Sequence, residues 1–233
     1  MRILRGEGLT HKKYTKMKGK IDWLNHSLEF LMVLVGILIA FQLNTCSDRR
    51  SKAKLIDNHL SQIKAECQEN KDRISVSIIQ IDQQIHHCDS LLTLIKQAKD
   101  PVEIRNQSTK LLDLRNVDLK RSAYKVLVAS GDIRYLDDYE MKKDIISLYE
   151  GFEKVEQINQ SHQNLYDRHF YPYMKSHFDL VNWDGVRIYS EAEEKEYYAR
   201  EFANTVSTYR FLLLAKGRIY QERESRLEDY LAK

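Results

Sequence analysis

From Phe30 to Phe41 the chain carries no charged residue, and every position except Gly36 and Ala40 is large and apolar. Extended back to Trp23, the run reaches about 20 residues and predicts an α-helix able to cross roughly 30 Å of hydrocarbon. The apolar rhythm continues beyond a polar juncture at residues 44–50. Core-compatible residues recur at Ile56, Leu60, Ile63, Cys67, Asn70 and Ile74, then at Ile78, Ile81, Ile85, Cys88, Leu92 and Ile95. Steps of four and three alternate, with one doubled four at Asn70, Ile74 and Ile78, which is the mark of a heptad seam with a stutter. No Pro or Gly lies between Gly36 and Pro101. The pattern therefore predicts one helix of roughly 110 Å from the apolar run to about Ala98, with a break at residues 44–50 as the alternative.

Beyond Ala98 the chain is punctuated more often. Asp100-Pro101-Val102-Glu103 supplies an N-cap, a proline at the first helical position and a capping-box glutamate. Asp118 is placed to cap a helix running to Ser130 and ended by Gly131. Asp137 with Glu140 opens a helix from about residue 138 to Tyr171, where Pro172 stops or kinks it. Residues 179–189 read as a loop, Ser190 with Glu193 caps the next helix, and Thr205 to Leu231 form one or two helical pieces. Only eight Gly and two Pro in 233 residues fit an all-α chain. Four parts are predicted: a basic tail (1–22), a transmembrane helix (23–44), a long amphipathic, coiled-coil-like helix (45–99), and an antiparallel helical bundle (100–233) packing with it.

Charge sharpens this picture. The formal net charge is +3, but residues 1–22 hold seven Lys or Arg against Glu7 and Asp22, a net of +5. Allowing for Glu29 inside the span, the residues that follow it sum to −1. A near-neutral domain gives no footprint for nucleic acid. The basic tail instead fits the positive-inside rule, with six Lys or Arg near the N-terminal side of the span and four (Arg49, Arg50, Lys52, Lys54) on the other. This predicts a cytoplasmic N-terminus and a periplasmic C-terminal domain on a bacterial inner membrane. A cleaved leader lacks its small-x-small site here, since Ala40-Phe41-Gln42 and Leu43-Asn44-Thr45 do not supply one. Lipidation at Cys46 is disfavoured by Asn44 and Thr45 before it. An uncleaved anchor is the reading adopted.

Three stretches resemble an uncharacterised family of single-pass, helical inner-membrane proteins of Bacteroidota, a domain of unknown function. They are Glu29 to Asn44 (EFLMVLVGILIAFQLN), the amphipathic helix around Leu60 to Asn70, and Ser122 to Gly131 (SAYKVLVASG) with Ile133 and the helix through Tyr149. The similarity spans roughly residues 20–160. Where the family usually has Asn-Trp-Asn after the span, this chain has Asn44-Thr45-Cys46. The resemblance implies the topology and brings no activity, cofactor or catalytic residue.

Candidate chemistry is sparse. Glu29, Gly36 and Ala40 share one face of the span, and the small residues there let a second helix approach closely. Ile63, Cys67, Asn70, Ile74 and Cys88 lie in the seam and form a candidate self-association surface, with Asn70 either setting register and oligomer state or exposed to solvent at the stutter. Cysteines 46, 67 and 88 are spaced by three heptads, so a parallel dimer would bring Cys67 and Cys88 near their own copies. Burial as small hydrophobes is the alternative. Thirteen of the fourteen Tyr follow residue 120. Tyr166, Phe170, Tyr171, Tyr173 and Trp183 are read either as bundle core or as a partner surface. His162, His169 and His177, spaced by seven and eight, form no metal-binding motif, and P-loop, dinucleotide and nucleophile-elbow fingerprints are absent. No cofactor or metal is expected. The functional expectation is a membrane-anchored scaffold, adaptor or sensor-like protein without catalysis, associating with itself and with a membrane or periplasmic protein. The competing expectation is an enzyme or enzyme subunit using residues 162–189.

Overall fold

The structure is a computed structural model that describes residues 23–99, 101–113, 115–178 and 192–233. The chain divides into two compact units, Met1–Ser51 and Lys52–Lys233. Among the described residues there are helices and turns and no strand. In chain order they are α1 (Trp23–Lys96), α2 (Pro101–Lys110), α3 (Ser122–Ala129), a 3₁₀ turn (Asp132–Tyr135), α4 (Tyr139–Leu165), a π turn (Tyr166–Phe170), α5 (Tyr171–His177) and α6 (Ala192–Leu231). The expected basic tail, the capping roles of Asp100 and Ser190, and the loop at 179–189 fall outside the described residues.

In the first unit the described residues belong to α1. Every large apolar side chain from Leu28 to Leu43 is exposed, and the helix is long and apolar enough to cross a membrane. Covering a dozen such side chains is favourable by on the order of 20–30 kcal/mol, a strong pull out of water. Ser27 and Thr45 bond back to the carbonyls of Trp23 (2.6 Å) and Phe41 (2.9 Å), which hides their hydroxyls within the helix. Residues 44–50 are helical, so the juncture carries no break.

In the second unit α6 lies along α1. Lys71 pairs with Glu228 at 2.9 Å, Ser75 bonds Glu224, and Tyr209 Oη lies 3.5 Å from Gln84. Numbers rise on one helix as they fall on the other, so the two run in opposite directions. The core between them and α4 is dry: Ile63, Ile74, Leu91, Ile145, Phe152, Phe170, Val206, Tyr209, Leu213 and Tyr220 are essentially without exposed surface.

Local chemistry explains the element ends. Asp138, rather than Asp137, caps α4 and accepts from the Met141 amide at 3.0 Å. Gly131, at φ 74, makes the left-handed turn after α3 that L-residues resist. A stop or a kink is expected at Pro172, and the helix is interrupted and then resumes. The wide π turn at Tyr166–Phe170 precedes Pro172 and takes up the bonding a proline removes, and α5 continues to His177. α6 is a single helix. The largest departure is at Asp118, which caps nothing. Residues 115–121 are not helical, and α3 begins only at Ser122. Side chains from α1, α4 and α6 hold this stretch.

Candidate functional site

A non-helical strap, described over residues 112–113 and 115–121, lies between α2 and α3, and many of its main-chain polar groups are gripped by side chains. From α1, Gln84 donates to the Asp113 carbonyl and Arg73 Nη1 to that of Asp118 at 3.1 Å. Asn70 makes a two-way contact, donating to the Lys120 carbonyl and accepting from the Lys120 amide, both at 2.8 Å. Glu66 Oε2 then accepts from Ser122 Oγ (2.7 Å) and the Ala123 amide (2.9 Å), so a carboxylate from another helix caps α3. Partner numbers fall from 123 to 113 as α1 rises from 66 to 84, so the strap runs back along α1. The Val117 amide donates to Tyr220 Oη at 3.4 Å, Tyr220 Oη donates to Asn159 Oδ1 at 2.6 Å, and Asn159 Nδ2 donates to the Val117 carbonyl at 2.9 Å. This closes a ring across α4 and α6. A strap without helical bonds thus has the carbonyls of Leu112, Asp113, Arg115, Val117, Asp118 and Lys120 and the amides of Val117 and Lys120 bonded to side chains, in place of a regular ladder.

Two buried ionisable groups anchor the grip. Lys216 on α6 has no exposed surface. Its Nζ reaches the Arg115 carbonyl (3.0 Å), Asn116 Oδ1 (2.7 Å) and His162 Nδ1 (3.4 Å), and lies 5.5 Å from the Tyr220 ring centroid. None of these partners is an anion, and burial lowers the ammonium to about 8. His162, also fully buried, is pushed down to about 3 by burial and then by the Lys216 charge. Because Nδ1 faces an ammonium, the imidazole carries its proton on Nε2, which is buried without a partner. At the other end, Glu66 Oε1 accepts from Tyr149 Oη at 2.6 Å, and burial, then Glu66, raises the Tyr149 phenol.

The sequence-derived candidates separate when placed on the fold. Ile63, Cys67, Asn70, Ile74 and Cys88 have no exposed surface. The seam is covered by this chain's own helices and strap, and Asn70 bonds the strap at Lys120. Burial raises Cys67 and Cys88 to about 12, and both are free thiols. Phe170 is core, stacked on Tyr209 at 5.1 Å, and Tyr173 stacks on Phe202 at 4.7 Å. Tyr166 is half-buried and donates to the Leu112 carbonyl at 3.0 Å. Of the proposed partner surface only Tyr171 is exposed, and Trp183 lies outside the described residues. Glu29, Gly36 and Ala40 are exposed on α1, with Glu29 3.3 Å from His26, and a Cβ at Gly36 would meet nothing within 4 Å.

The three histidines of the competing reading occupy different settings. His162 is in the core, and His169 lines an open groove of about 520 Å³ with Arg200, Glu201 and Asn204. His177 stacks on Tyr173 at 4.0 Å. A Ser-His-Asp grouping also occurs, but Ser130 Oγ (2.7 Å) and His59 Nε2 (3.1 Å) both meet Asp132 Oδ2, so the imidazole is not bonded to the hydroxyl. Among the described residues no group of three His, Cys, Asp or Glu is placed to hold a metal.

Sequence reasoning missed Glu66, Lys216 and His59. His59, Glu66 and Arg73 step by seven beside the apolar seam. That spacing is the one available signal that they share its buried flank. Comparisons with protein-family models, curated proteins and solved structures find no match to this chain.

Proposed function

We propose that this chain is a single-pass inner-membrane protein whose periplasmic part is an antiparallel helical bundle acting as a scaffold, adaptor or sensor-like module without catalysis. The resemblance to the uncharacterised Bacteroidota family supports the same topology. The observation that carries the reading is the contrast within α1. One end exposes a continuous apolar surface, while the polar side chains along the other are engaged on the chain's own strap. A domain whose buried polar groups hold its own backbone is built to keep a shape. Self-association then falls to the span, where Gly36 and Ala40 leave a notch wide enough for another helix.

The test is co-purification from membranes of differently tagged copies, with Gly36→Leu beside the native chain. Native copies recover one another, and G36L cuts recovery at least severalfold while keeping the protein in the membrane. Equal recovery, or strictly monomeric native protein in mild detergent, overturns the self-association reading.

A further inference from the structure

The Lys216–His162 contact has a property that the other grips on the strap lack. Asn70, Asn159, Gln84 and Tyr220 hold the backbone with groups that keep their bonding pattern across the physiological range. Lys216 holds Arg115 and Asn116 while its third proton points at His162 Nδ1, the only basic nitrogen left on that ring. A proton arriving at Nδ1 turns an acceptor into a donor and sets an imidazolium against an ammonium in a site with no exposed surface. Among the described residues, the remaining groups facing the pair offer no negative charge to absorb this. They are Tyr209, whose ring centroid lies 4.7 Å from that of His162, and Tyr220, both on α6, and the carbonyl of Arg115 on the strap. On α1, Cys88 lies near Tyr209 as a neutral buried thiol. Asp113, also near Tyr209, is exposed and paired with Arg115 at 2.7 Å.

We propose that Lys216 and His162 form an acid-released latch: protonation of His162 Nδ1 and its contact with Lys216 are mutually exclusive, so acid withdraws the Lys216 grip on Arg115 and Asn116. This loosens that end of the strap, where Gln84, Tyr166, Asn159 and Tyr220 remain, while Asn70 and Glu66 keep the other end. The proton comes from solvent and no bond other than N–H is made. The latch rests on the geometry of the second unit alone and stands whether or not the membrane reading does. It gives the bundle a way to change shape on the side of the strap that faces α4 and α6.

The test uses the full chain in detergent micelles, labelled with ¹⁵N-valine. Exchange of the Val117 amide, which donates to Tyr220, is compared with Val155 and Val206 in the core. With an ordinary histidine value of about 6.5 in the opened state, Val117 protection, corrected for intrinsic rates, falls about thirtyfold between pH 7.5 and 5.0. At pH 5.0 Val117 exchange is flat in low urea while Val155 and Val206 rise, because the strap opens locally. His162→Gln supplies a non-titrating acceptor for Lys216 and removes the pH response. The proposal is overturned if native Val117 keeps its protection at pH 5.0, or if it tracks Val155 and Val206 with the same urea dependence. An equal fall in H162Q also overturns it, and the native arms decide by themselves if that variant does not fold.

Discussion

Replacing Glu66 by Ala tests whether the strap is held as described, because one carboxylate serves three donors there. Ser122 is exposed, so its hydroxyl turns to water at little cost. The Ala123 amide and Tyr149 Oη are buried beside Glu66 and lose their carboxylate acceptor, leaving Tyr149 only the weakly bonding Cys67 thiol. A buried donor left unsatisfied costs about 1–3 kcal/mol, and loss of a helix cap about 1 kcal/mol, part of it the same amide. The expected destabilisation is about 3–5 kcal/mol. In a chain of this size that is a fall in Tm of about 6–20 °C, followed by far-UV circular dichroism in detergent. Glu66→Gln, which keeps one acceptor oxygen, falls between the two. Loss of less than about 1 kcal/mol in E66A would mean that Ala123 and Tyr149 find water or other partners, and the account of α3 as capped by a distant helix would be wrong.

Other outcomes follow from the same geometry. The folded Lys216 value, down from 10.5 to about 8, means that the unfolded chain binds the extra proton in between. Stability therefore rises with pH above about 8, by about 2 kcal/mol up to pH 9.5, and urea titrations of Lys216→Met lack that rise. Cys46 is exposed while Cys67 and Cys88 are buried, so at pH 8 a maleimide labels one thiol in the native protein and three after denaturation. Ala98 ends α1 at φ 47, and Ala98→Gly is expected to raise stability by about 1 kcal/mol in urea unfolding, since glycine occupies that region without strain.

The helical character of α1 is legible because its apolar residues keep a strict rhythm from Ile56 to Ile95. What covers that rhythm is not. A seam at Ile63, Cys67 and Ile74 says that the face is buried, and the same spacing serves a second copy or a neighbouring helix equally well. Asp118 shows the limit of local signals: its capping pattern is sound, but Arg73, Asn70 and Asn159 claim the adjacent backbone first. Lys216 and Glu66 look like surface charges in α6 and α1, since the backbone partners that satisfy them lie 101 and 57 residues away. Phe170 and Tyr173 were legible as aromatic density; their assignment to core needed the stacking on Tyr209 and Phe202.

The central claim is that α1 anchors the helical domain on the periplasmic face. Its most direct test is protease accessibility of an epitope after Lys233, in spheroplasts of a Gram-negative host, with alkaline carbonate extraction in parallel. The account predicts that added protease removes the epitope from intact spheroplasts and that carbonate leaves the untreated protein in the membrane pellet. An epitope that stays protected until the spheroplasts are lysed would contradict the orientation, and release by carbonate would contradict the anchor.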